Sequence, residues 1–127
     1  MEVVRRGFEA WNRQDLEALR ECFSPDLEIN ASDRVLNPDV YQGVAGFMRM
    51  RREIGEAWEE FRVEAEEFFA AGKDVVAFVR AVGRGRGSGV EVDFRSAWLM
   101  TLRDGRVTRA RLYRDRTDAL EAAGLSE

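Results

Sequence analysis

Histidine is absent from this 127-residue chain, and cysteine occurs once, at Cys22. Together these scarcities remove the commonest general base, the usual zinc ligand, the Ser-His and Cys-His nucleophile pairs and any intramolecular disulfide. Cys22 falls between Leu19 and Phe23 in a helical pattern, where a buried, inert thiol is expected. No apolar run approaches the roughly 20 residues that span a bilayer, and the N-terminal segment carries Arg5-Arg6 in an amphipathic pattern rather than a signal peptide's apolar stretch. A cytoplasmic location is the default expectation, with no membrane partner. All but one of the 20 basic residues are arginine, yet net charge is −4, so no overall basic field draws in nucleic acid. Any chemistry must rest on carboxylates, tyrosine, arginine, bound water or a metal held by oxygen ligands; no particular metal site or cofactor is expected.

What is present is periodicity. The length suits one domain over 1–127, with 45% apolar and 35% charged residues. Val4, Phe8 and Trp11, then Leu16, Leu19 and Phe23, recur at helical steps on either side of Asn12-Arg13-Gln14-Asp15, and Asp15 is placed to cap the second helix. Ser24-Pro25-Asp26 ends that helix, because proline disfavours the helical conformation in the residue before it. Leu27 to Ile29 alternates as a short strand, Asn30 to Gln42 reads as a loop over the mouth of the fold, and Gly43 to Trp58 as a third helix. Strands are predicted over Phe61 to Phe69, Val75 to Val82, Val90 to Leu102 and Val107 to Asp115, with a short helix over Thr117 to Leu125. Arg103-Asp104-Gly105-Arg106 has the composition of a tight hairpin.

Three groups of residues invite a functional reading. Gly83-Arg84-Gly85-Arg86-Gly87-Ser88-Gly89 resembles a phosphate loop, but strands flank it where such loops precede a helix, so a flexible hairpin tip competes with an anion-binding turn. On the last two strands, Val92, Phe94, Ser96, Trp98 and Met100 share a face, and so do Val107, Arg109, Arg111, Tyr113 and Asp115. The second face is either a solvated surface with cross-strand ion pairs such as Asp93 with Arg111, or a cavity wall. In a cavity, Tyr113 and Asp115 would form a proton-transfer pair, with Arg95 or Arg111 orienting a ligand anion. Trp11, Tyr41, Trp58, Phe61 and Trp98 suit either core or the walls of a pocket for flat hydrophobic molecules.

Val3-Val4-Arg5-Arg6-Gly7-Phe8-Glu9-Ala10-Trp11-Asn12, Phe23-Ser24-Pro25-Asp26, Tyr41-Gln42-Gly43, Gly105-Arg106-Val107, Tyr113-Arg114-Asp115 and the Ala119 to Leu125 segment together resemble the NTF2-like superfamily, close to the SnoaL-like proteins of bacteria. The resemblance implies an α+β, cystatin-like cone: three N-terminal helices packed into a bent, mostly antiparallel mixed sheet, often dimeric through the sheet. It implies three candidate roles: binding a small hydrophobic molecule in the cone, a carboxylate-dependent cyclase, isomerase or epoxide hydrolase reaction using Asp115, or a structural dimerisation module. Carried over residue by residue it is sparse. Ala31 and Trp98 stand where steroid isomerases of this fold have acids, and Val76 to Val82 lacks the aspartate of an epoxide hydrolase. Only Asp115 matches a family acid/base position.

Overall fold

A computed structural model of the protein describes residues 2–33 and 38–125. The described residues form α1 (Glu2–Arg13), α2 (Leu16–Cys22), β1 (Phe23–Asn30), β2 (Val40–Gln42), α3 (Gly43–Ala57), β3 (Trp58–Ala71), β4 (Asp74–Gly85), β5 (Glu91–Arg103), β6 (Arg106–Tyr113) and α4 (Arg116–Ala122). The strands make one sheet in the order β2-β1-β6-β5-β4-β3. Every neighbouring pair is antiparallel except β1 with β6. This is the expected α+β architecture, with α1, α2 and α3 preceding the long strands and α4 closing the chain. No helix among the described residues is long and apolar enough to cross a membrane.

Local chemistry explains most boundaries. The Asp15 carboxylate accepts a hydrogen bond from the Ala18 amide (3.2 Å) and satisfies one of the unpaired donors at the start of α2. The chain then turns straight into β1, which begins at Phe23 instead of Leu27. Proline cannot donate to a ladder, and here the β1–β6 register slips between Phe23 and Glu28, so Pro25 sits where no regular pairing is required. Asp104 (φ +52°) and Gly105 (φ +77°) both adopt the left-handed conformation that a two-residue hairpin loop demands. The loop expected over Asn30 to Gln42 is shortened by β2, and its 34–37 part lies outside the described residues.

Two apolar clusters occupy opposite faces of the bent sheet. On the concave face, Val3, Val4, Leu27, Ile29, Met50, Met100 and Val107 form the main core with α1 and α3. On the convex face, Ala119 and Leu120 of α4 pack against Val76 and Ala97. Cys22 is buried in the main core, and loss of solvation pushes its thiol above the usual cysteine range, as expected for an inert residue.

Gly46 lets α3 lie directly on β2: a Cβ there would stand 2.9 Å from the carbonyl carbon of Tyr41. Gly55, in the same helix, has no atom within 4 Å of the same construction. Gly46→Ala should therefore destabilise the fold by about 1–3 kcal/mol, through overpacking against backbone that cannot yield. Gly55→Ala should stabilise it by up to about 1 kcal/mol. Equilibrium urea denaturation of the two variants checks both signs.

Candidate functional site

Between the concave face and the helices lies a cavity of about 490 Å³. Valine and small residues of β4, chiefly Val79 and Ala81, form its floor. The β5 face Val92, Phe94, Ser96, Trp98 and Met100 forms one side, as its alternation predicts, and Phe8, Trp11, Phe47, Met50 and Ile54 of α1 and α3 form the roof. Aromatic pairs stiffen the wall: Trp11 against Phe47 (ring centroids 6.0 Å apart), Phe23 against Phe47 (5.7 Å) and Trp58 against Phe61 (5.8 Å). Gly83 makes room for the last pair, since a Cβ there would lie 3.1 Å from the Phe61 ring and 3.2 Å from the Trp58 ring.

Few polar groups reach this space. Glu53 is held by the Tyr41 hydroxyl (2.8 Å) and by Arg49 (3.0 Å), and these hydrogen bonds, Tyr41's foremost, keep its carboxyl below the usual range. Ser96 is 4% exposed, and among the described residues its hydroxyl has no hydrogen-bond partner. Arg114 lines the same cavity, with its Nε 3.4 Å from an Asp33 carboxylate oxygen. The Trp11 indole N–H is buried without a partner among the described residues. No three Cys, Asp or Glu side chains gather among those residues to hold a metal ion.

The predicted site residues divide accordingly. Trp11, Trp58, Phe61, Arg95 and Trp98 line the cavity. Tyr41 is 1% exposed in the core beside it and reaches the site through Glu53. Arg111, Tyr113 and Asp115 are brought elsewhere, and the expectation of an inward-facing Tyr113–Asp115 pair is corrected. Tyr113 packs in the convex cluster under α4, with the Arg111 guanidinium 5.0 Å from its ring centroid. Asp115 caps α4, its carboxylate accepting from the Thr117 amide (2.8 Å).

The reason is strand phase. Ala97 pairs with Tyr113 and Trp98 with Leu112, so Ala110 and Leu112 of β6 face inward, and Arg114, just past the end of β6, also lines the cavity. Glu53, Ser96 and Arg114 were missed as site residues, although Ser96's place between Phe94 and Trp98 was a usable signal. The suggested Asp93–Arg111 pair is not formed. Asp93 instead accepts two hydrogen bonds from Arg80, which hold its carboxyl below the usual range. At the glycine-rich turn, Arg84 pairs with Glu59 and Glu60, and Arg86 donates to the carbonyls of Gly55 and Trp58. Both arginines thus have protein partners, as suits a hairpin tip.

Comparison with known proteins settles the family. The SnoaL-like domain family matches residues 4–110. The chain belongs to this family. An uncharacterized protein of Mycobacterium tuberculosis is 31% identical over 111 residues, covering 86% of this chain and 83% of its own. An NTF2-like protein of unknown function from Burkholderia pseudomallei superposes with a TM-score of 0.79 at 18% identity, over 95% of this chain and 94% of its own. A protein from Jannaschia sp. CCS1, assigned as a SnoaL-like polyketide cyclase, gives 0.74 at 25% identity, over 88% and 82%. The SnoaL-like fold thus accounts for the cone.

If Asp115 serves as a helix cap, Asp115→Ala should lower stability by about 1 kcal/mol, whereas Asp115→Asn, with an equally good capping side chain, should be nearly neutral. Urea denaturation of the two variants separates a cap from a residue whose charge matters.

Proposed function

We propose that this SnoaL-like protein binds a small, ring-bearing hydrophobic molecule inside the cone. The observation that carries this reading is the 490 Å³ of space left beneath α1 and α3, walled by aromatic and aliphatic side chains. Folded interiors ordinarily close to crystal-like density, so unfilled volume with a greasy wall favours an apolar occupant. Trp11, Trp58, Phe61 and Trp98 would supply contact area. Tyr41 would act indirectly, by fixing Glu53.

The rival reading is a carboxylate-dependent reaction, which the Jannaschia neighbour's assignment makes worth stating. Two observations weigh against it. Asp115 is committed to capping α4, and Glu53, the carboxylate on the cavity wall, is stabilised as an anion by Tyr41 and Arg49. A carboxylate held below its usual range is a weak base at neutral pH. A purely structural role is disfavoured by the open cavity itself.

N-phenyl-1-naphthylamine, an uncharged fluorescent probe of ring-lined cavities, tests the reading directly. Saturable, equimolar binding is expected, weakened about tenfold by Trp98→Ala, the equivalent of about 1.4 kcal/mol. Ala81→Phe, which fills the floor, should abolish it while circular dichroism reports an intact fold. Binding untouched by either change would overturn the proposal.

The convex face is our candidate for self-association into a homodimer, supported by half-buried Phe69, Phe78, Leu99 and Tyr113 clustered around α4. Light scattering coupled to size exclusion should give twice the chain mass, and Phe78→Arg should return it to one. A monomer in the unaltered protein would dispose of the idea.

A further inference from the structure

The walls of the cone are unequal in polarity, and the inequality constrains what can occupy it. Polar groups gather where β5 meets the end of β6. Ser96 points from the β5 face that also carries Phe94 and Trp98; the β5–β6 register, continued one step beyond the Ala97–Tyr113 pair, sets Arg114 opposite Ser96, and both line the cavity. Ser96 is the buried polar residue of the core, and its hydroxyl is unpartnered among the described residues. The hydroxyl itself keeps some access to the cavity, so a ligand there can complete its hydrogen bonding. Arg114 offers a charged counterpart. Its backbone amide donates to Asp33 (2.9 Å) and its Nε makes an ion pair with the same carboxylate, but the side chain remains 62% exposed and its guanidinium donates no hydrogen bond among the described residues. Asp33 therefore orients Arg114 more than it occupies it. The other ionised groups on the wall have protein partners: Glu53 is held by Tyr41 and Arg49, and Arg95 pairs with Glu66 (3.5 Å).

We infer that the ligand is amphipathic: a hydrophobic ring system bearing one oxyanion, such as a carboxylate, phenolate or enolate, which accepts from the Ser96 hydroxyl and the Arg114 guanidinium while the rings lie against Trp98 and the apolar floor. This rests on the cone being a binding site, and it assigns Ser96 and Arg114 as the residues that select the charged end. Charge-assisted hydrogen bonds are the stronger kind, and a planar guanidinium can also meet both oxygens of a carboxylate.

The test compares two probes with the same ring system, uncharged N-phenyl-1-naphthylamine and its sulfonate-bearing counterpart 1-anilinonaphthalene-8-sulfonate. The unaltered protein should prefer the sulfonate by about tenfold, the amount one charge-assisted hydrogen bond can supply. It should also release the neutral probe competitively as the sulfonate binds. The preference should collapse toward unity in Arg114→Ala and in Ser96→Ala and be largely restored in Arg114→Lys. A preference that survives both alanine changes, no preference at all, or sulfonate binding that leaves the neutral probe in place would each overturn the inference without touching the cone as a binding site. Failure of the neutral probe to bind would remove the cone reading and this inference together. Circular dichroism of each variant excludes misfolding as the cause of a lost preference.

Discussion

The strand residues that line the cone owe their direction to register, and two of the register slips shape what the cavity sees. In β3 the pairing moves between Ala65 and Glu67. Without that slip, the alternation that turns Phe61, Val63 and Ala65 inward would bring Glu67 in next. With it, Glu67 pairs with Phe78 on the convex side and Phe68 joins the main core. In the β5–β6 hairpin the slip falls between Thr101 and Leu102, so Val107 and Ala110, of opposite parity, both reach the concave face. A strand has a side-chain period of two, and one extra residue exchanges its faces. The two slips keep the interior apolar although the strands are rich in charge.

Charge is consequently expelled to the convex face and the rim. Arg80 with Asp93, Arg116 with Glu66 and Arg84 with Glu60 lie where water screens them. Their individual contribution to stability is small, and their consequence is placement, since the same residues turned inward would fill the cone with ions. Arg116 is the most engaged. It donates to the carbonyls of Ser96 and Val79, pairs with Glu66 and lies 4.7 Å from the Phe78 ring centroid. It thereby fixes the start of α4 to the sheet on the far side from the cavity and holds the strand that carries Ser96.

The function proposed here follows from that division. Under that proposal a largely apolar hollow would select by shape and by a charged contact near Ser96, while Asp115 is engaged with the Thr117 amide and Glu53 with Tyr41 and Arg49.

Residue spacing alone was enough for the helices, the cap at Asp15, the Asp104-Gly105 hairpin and the inward β5 face, because capping, turn chemistry and period-two alternation are local properties. The family was legible separately, as a resemblance of segments spread along the chain, and the aromatic content named Trp11, Trp58, Phe61 and Trp98 as wall candidates. The face of β6 was out of its reach. Val107, Arg109, Arg111, Tyr113 and Asp115 and the alternate set are comparably polar, so composition does not choose between them. Tertiary structure chose, through pairing with β5 and a slip whose position no local signal marks, and it sent Tyr113 and Asp115 to the convex side while bringing Arg114 in beside Ser96. A strand's faces are fixed by its neighbours, and those neighbours are known only once the sheet has formed.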